Sequence, residues 1–156
     1  MHNSAQIANA NLDLVLRALD LTGTATDDLR TKLVENALED AVACFDGFGR
    51  EHCANQPYKI SFQNLEAARA KLQREHGLDL ATSLSAAEWS FVAVQFQKRH
   101  LLAHTLGIID ADFIAKTSAS PSLEGRKVTI TDSDVRKLVG HLRVLAEALH
   151  RGLPRS

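Results

Sequence analysis

Residues 85–107 read SAAEWSFVAVQFQKRHLLAHTLG, and this stretch decides the fold. Ser85 followed three residues later by Glu88 is a capping box, in which each side chain accepts from the other residue's backbone N–H. It predicts a helix from Trp89 to about Leu106, ended at Gly107, a residue suited to helix C-termini. At ~100° per residue, Trp89, Val92, Ala93, Phe96, His100 and Ala103 share one stripe. Phe91, Val94, Leu101 and Leu102 fall on the opposite side, interrupted by Lys98. A helix apolar on two sides is buried on two sides. One side must face its own bundle; the other faces a further helix of that bundle or a second subunit.

The same periodicity extends outward in both directions. Upstream, Ile7, Ala8, Leu12, Val15, Leu16 and Leu19 recur at three- and four-residue steps, and Thr22-Gly23-Thr24 ends that helix. Thr26 is a suitable N-cap for a second helix, with Asp27 and Asp28 at the positive end of its dipole. Leu29, Leu33, Ala37, Leu38, Ala41, Val42, Phe45 and Phe48 line one side of it; fraying is expected around Gly47 and Gly49, and the helix is over by Pro57. Ser61 is expected to cap a third helix carrying Phe62, Leu65, Ala68 and Leu72, closed by Gly77. Downstream, a short helix is expected over Asp110–Lys116, then a loop over Thr117–Gly125. Lys127 to Thr131 alternates weakly, the pattern of a short extended segment. Thr131 then caps a last helix with Val135, Leu138, Val139, Leu142, Leu145, Ala146 and Leu149 on one stripe. The reading is all-α: a bundle of about five main helices, one domain over residues 1–156.

Composition agrees. A chain of 156 residues matches one domain. With 8 Gly, 3 Pro and only 5% aromatics it lacks the turn density of an all-β fold, and its Leu and Ala favour helix. The formal charge of −1 exerts no bulk pull on nucleic acid or membrane, so any polyanion site must be local. Cys44 and Cys53 form no disulfide framework and suit a reducing compartment. No apolar run reaches the ~18 residues of a membrane span, and MHNSAQIANAN lacks the features of a signal peptide. A cytoplasmic location without membrane contact is expected.

The end of the fourth helix breaks the apolar pattern. Arg99, His100 and His104 share one arc, and charged groups are rarely placed among apolar neighbours without a partner or a task. The segment QKRHLLAHTLGIID, residues 97–110, resembles the signature of the HEPN superfamily, an Arg, then four to six residues, then a His. Here the residue after Arg99 is His100, four residues intervene before His104, and a Gly-Ile-Ile-Asp turn follows, as in several members. The resemblance implies a metal-independent endoribonuclease, a hydrolase that needs no cofactor. It implies a homodimer with both motifs at a shared cleft, and RNA rather than DNA as substrate, since RNA carries its own 2′-hydroxyl nucleophile. It implies His104 as general acid or base, Arg99 as the holder of developing phosphate charge, and His100 as a group that orients Arg99 or contacts phosphate. Histidine titrates near ~6.5, within reach of neutral pH, and the guanidinium fork matches two phosphate oxygens. A toxin or defence effector, with a nucleotidyltransferase-type antitoxin as partner, belongs to the same expectation. The alternative is a non-catalytic HEPN-like module that dimerises or binds a nucleotide or a partner protein.

Other readings compete for these residues. His100 and His104 have the spacing of a zinc helix, but Leu101 stands where the zincin glutamate would be, and a third ligand from Asp110, Asp112 or His52 has no support. Metal is therefore not expected. Glu35, Glu39 and Asp40 read as a solvated face, or as an acidic accessory to the site. Arg126 and Lys127, after the loop, are weak candidates for substrate binding. Lys137, His141 and His150 read as surface, and Cys44 as core.

Overall fold

The computed structural model describes residues 4–154. Residues 1–3, within the amino-terminal stretch read above for a leader, and residues 155–156 lie outside it. Six α-helices follow in order: α1 Ser4–Asp20, α2 Asp27–His52, α3 Leu65–His76, α4 Ala86–Thr105, α5 Ala111–Thr117 and α6 Asp132–Gly152. Short 3-10 turns precede α2, α4 and α6, and there is no β-strand among the described residues. The chain is an all-α bundle. None of the described helices is long and apolar enough to cross a membrane.

Helices α1, α2 and α6 pack against one another, and α4 lies against α2 and α6. Their facing stripes make one core, with Leu12, Leu38, Phe45, Phe62, Leu72, Leu138, Leu142, Leu145 and Leu149 nearly inaccessible to water. Phe45 anchors it, with the rings of Phe62 and Phe96 edge-on at 5.5 and 6.3 Å, a favourable aromatic arrangement. Ile7 and Leu29, which periodicity places inward, are about half exposed; Ile7 borders a groove between α1 and α2.

The second helix does not fray at its glycines. It runs unbroken to His52 because Gly49 is where Phe62 inserts: a Cβ there would stand 2.3 Å from the ring. The carboxylate of Asp46, buried one turn earlier, accepts from the Phe62 N–H at 2.7 Å. Phe62 is therefore spent before α3 begins, and the cap falls at Asn64, whose side chain accepts from the Ala67 N–H, not at Ser61. Gly77, with φ 64°, closes α3 as expected. Thr131 caps α6 as expected.

A second, smaller core lies on the far side of α4, where Leu101, Ile109, Phe113 and Val128 are buried together. The other apolar side of α4 is thus covered within the chain, by α5 and the segment that follows it. The expected extended segment reduces to a single bridge between Ile108 and Lys127. Backbone bonds from Ile109 N–H to the Arg126 carbonyl, Val128 N–H to the Gly107 carbonyl and Gly125 N–H to the Ile109 carbonyl hold it there.

Candidate active site

Helix α4 delivers the site because both its ends are fixed. At the start, Ser85 and Glu88 form both halves of the capping box, at 2.8 and 3.1 Å. Trp89 donates from its indole N–H to Glu66 of α3 at 3.0 Å. At the end, Leu106 and Gly107 adopt left-handed φ values of 57° and 84°, and the Gly107 N–H donates to the Leu101 carbonyl. Gly107 is favoured for its φ, and a Cβ there would displace the Lys127 ammonium, which lies 2.7 Å away. The last turn of α4 is thereby held at the edge of the bundle, with His100 and His104 exposed.

Arg99, His100 and His104 line one cleft of about 550 Å³. Its other walls include Gln63 and Asn64 ahead of α3, Glu66 of α3 and Lys116 of α5. The rings of His100 and His104 lie 4.3 Å apart between centroids. Burial, then the neighbouring His104, then Lys116 hold His100 below the ordinary histidine range, against a smaller opposing pull from Asp112. His100 is thereby biased toward its neutral form. Arg99 forms no ion pair among the described residues. Its Nη1 donates to the Gln63 side-chain carbonyl at 3.3 Å, while its Nε–H is buried without a partner. Nε is closed off from solvent, so the outer Nη groups, of which only Nη1 is bonded among the described residues, are the ones that can meet an anion.

Sequence reasoning missed the support behind Arg99. The amide of Gln63 bridges: its Oε1 accepts from Arg99, and its Nε2 donates to Asp46 at 3.3 Å. Asp46 is itself paired with Arg50 at 3.2 Å. A chain of polar contacts thus runs from the middle of the bundle to the guanidinium. Lys116 was also missed as a wall of the cleft; its ammonium pairs with Asp112 at 3.0 Å. The only signal for Gln63 and Asp46 in the sequence was a buried-side acid on an apolar helix.

The remaining candidates lie elsewhere. Arg126 and Lys127 line a separate cavity behind α4, and Lys127 donates to the Leu106 carbonyl at 3.0 Å and pairs with Glu35 at 3.4 Å. Glu35 is thus tied to Lys127, while Glu39 and Asp40 are exposed and do not line the Arg99 cleft. Asp110 caps α5, and His52 is buried with its Nε2 against the Leu153 carbonyl at 2.5 Å. Among the described residues no group of three His, Cys, Asp or Glu side chains is placed to hold a metal ion. Lys137 is exposed, its ammonium 4.3 Å above the Phe91 ring. His141 and His150 are less exposed than expected: their rings pack on Phe91 and His52 because α6 lies against α4 and α2. Cys44 is half-buried and Cys53 buried; burial raises both thiols above their usual range, away from the reactive thiolate form. No family model matches this chain, and neither does any curated protein or solved structure.

Proposed function

We propose that the Arg99 cleft is the active site of a metal-independent endoribonuclease of HEPN type. The observation that carries this reading is a guanidinium that makes one bond and no ion pair among the described residues, in one cleft with a close pair of histidines. Such a set fits a phosphodiester. One histidine takes the proton of the 2′-hydroxyl as its oxygen attacks the adjacent phosphorus. The bond from phosphorus to the 5′-oxygen breaks, and a protonated histidine supplies a proton to that leaving oxygen. The products are a 2′,3′-cyclic phosphate and a 5′-hydroxyl end. Arg99 holds the charge that builds on the phosphate oxygens. Neutral His100 suits the base role, and His104 the acid role, in one subunit or across a pair of subunits.

The test incubates the purified protein with total RNA in EDTA. Cleavage should survive chelation and leave cyclic-phosphate ends. Arg99→Ala should lower the rate by about 10²–10³-fold, the usual cost of removing a charge-stabilising group, and His104→Ala by about 10²–10⁴-fold, the usual contribution of a general acid or base. Arg99→Ala should lower the melting temperature only slightly, because the one bond lost, to Gln63, is long and exposed at 3.3 Å, below the about 1.5–3 kcal/mol of a well-made bond from a charged donor. A drop matching about 3–5 kcal/mol, the cost of breaking a buried ion pair, together with an inactive parent, would mean that Arg99 is structural. Activity abolished by EDTA and restored by zinc would overturn the metal-free mechanism. Saturable nucleotide or RNA binding without cleavage would favour a non-catalytic module instead.

A further inference from the structure

Behind α4, on the side away from the Arg99 cleft, lies a cavity of about 400 Å³. Val94, Ile109, Phe113, Ala119, Leu123 and Val128 give it apolar walls. Its polar lining is cationic or neutral: Lys98, Arg126 and Lys127 with Thr117 and Thr129, and no acid. Lys127 is already committed to Glu35 and the Leu106 carbonyl. Lys98 and Arg126 are not. The half-buried Lys98 ammonium donates to the Thr129 carbonyl at 2.8 Å and forms no ion pair among the described residues. The Arg126 side chain forms none either. An apolar cavity of this size with a few convergent polar groups has the character of a small-molecule site, and two unpaired cations at its wall define the sign of its ligand. Burial lowers the Lys98 pKa against a smaller opposing pull from Asp134, and a bound anion would add to that pull.

We propose that this cavity binds a small amphipathic anion, its apolar body among Phe113, Leu123 and Val128 and its carboxylate or phosphate head on Lys98 and Arg126. The two cavities share their walls. Lys98 and Arg99 are neighbours on α4, and α5 presents Phe113 and Thr117 to one cavity and Lys116 to the other. An occupant therefore presses on the two helices that shape the Arg99 cleft. The binding itself does not rest on the ribonuclease reading, and each can fail without the other.

The test titrates the intact protein with octanoate, octyl phosphate and octanol, followed by methyl and amide NMR. Octanoate or octyl phosphate should give saturable shifts centred on Leu123 and Val128, and the tighter of the two identifies the head group. Octanol should bind about 10-fold more weakly or worse, since it forgoes charge-assisted hydrogen bonds. Lys98→Met should weaken anion binding by a similar factor, whereas Lys98→Arg should retain it. Ala119→Phe should block all three by filling the space. If Lys98→Met fails to fold by circular dichroism, Arg126→Ala, at an exposed position, serves as the charge variant. No saturable shift with any of the three probes overturns the proposal. So does octanol binding as tightly as the anions, or shifts confined to His100 and Lys116.

Discussion

Arg99 forms no ion pair among the described residues, and the residue that orders it is an uncharged amide. Gln63 reaches it because Asp46 holds both the Phe62 N–H and the Gln63 side chain. Removal of this support should act through Arg99. Gln63→Ala is expected to lower the cleavage rate and to cost at most about 3 kcal/mol of stability, since it removes two bonds to charged groups that are both long, at 3.3 Å. Side-chain NMR of Arg99 should show faster guanidinium rotation in that variant; unchanged rotation would count against the positioning role. His100 provides a second check. Its proton NMR titration midpoint should fall below 6.5 and move upward in His104→Ala and Lys116→Ala, since both neighbours hold it down. The sign for stability follows. A histidine with a lowered folded pKa binds fewer protons than the unfolded chain, so its contribution is present above the unfolded value and is lost as pH falls through the folded one. His100→Ala should flatten that acid-side loss.

At the level of elements, α2 carries two glycines that look alike in sequence and differ in the fold. A Cβ at Gly47 meets nothing within 4 Å, whereas one at Gly49 stands 2.3 Å from the Phe62 ring. Gly47→Ala should stabilise the protein by about 0.5–1 kcal/mol, the cost of glycine inside a helix. Gly49→Ala should destabilise it by about 1–3 kcal/mol, the cost of overpacking. Urea unfolding of the two variants reads both signs directly. Equal effects would mean that Phe62 yields freely, and with it the segment that places Gln63.

The whole molecule has a near-neutral charge, yet its cleft gathers Arg99, His100, His104 and Lys116 with Glu66 as the acid in its wall, and Glu66 is occupied by Trp89. The sequence argument for a homodimer, a helix apolar on two sides, is weakened because α5 and Val128 cover the second side. The exposed apolar patch nearest the motif, and so the one a second copy sharing the cleft would use, is the end of α4. Leu106 is 82% exposed beside His104, and Ile108 is 41% exposed. If two clefts meet there, the parent protein sediments as a dimer at micromolar concentration and Leu106→Asn shifts it toward monomer. Asparagine tolerates the left-handed backbone at this position better than leucine, so dissociation would report lost apolar contact and not a broken turn. A monomeric parent would remove the dimer from the proposal.

The helices were legible in the sequence because their signals are local. Capping at Ser85 and Thr131, the glycine after α3 and the stripe of α6 need only a few neighbouring residues to act. The nearness of Arg99, His100 and His104 was legible for the same reason, since His100 and His104 are about one helical turn apart and Arg99 adjoins His100. The tertiary structure alone decided which glycine of α2 is indispensable, where α3 starts, and what stands behind Arg99. Each depends on Phe62, Gln63 and Asp46 meeting across 16 or 17 residues of chain. Periodicity along one helix carries no information about such contacts. Packing density and the need to satisfy every buried polar group decide them instead.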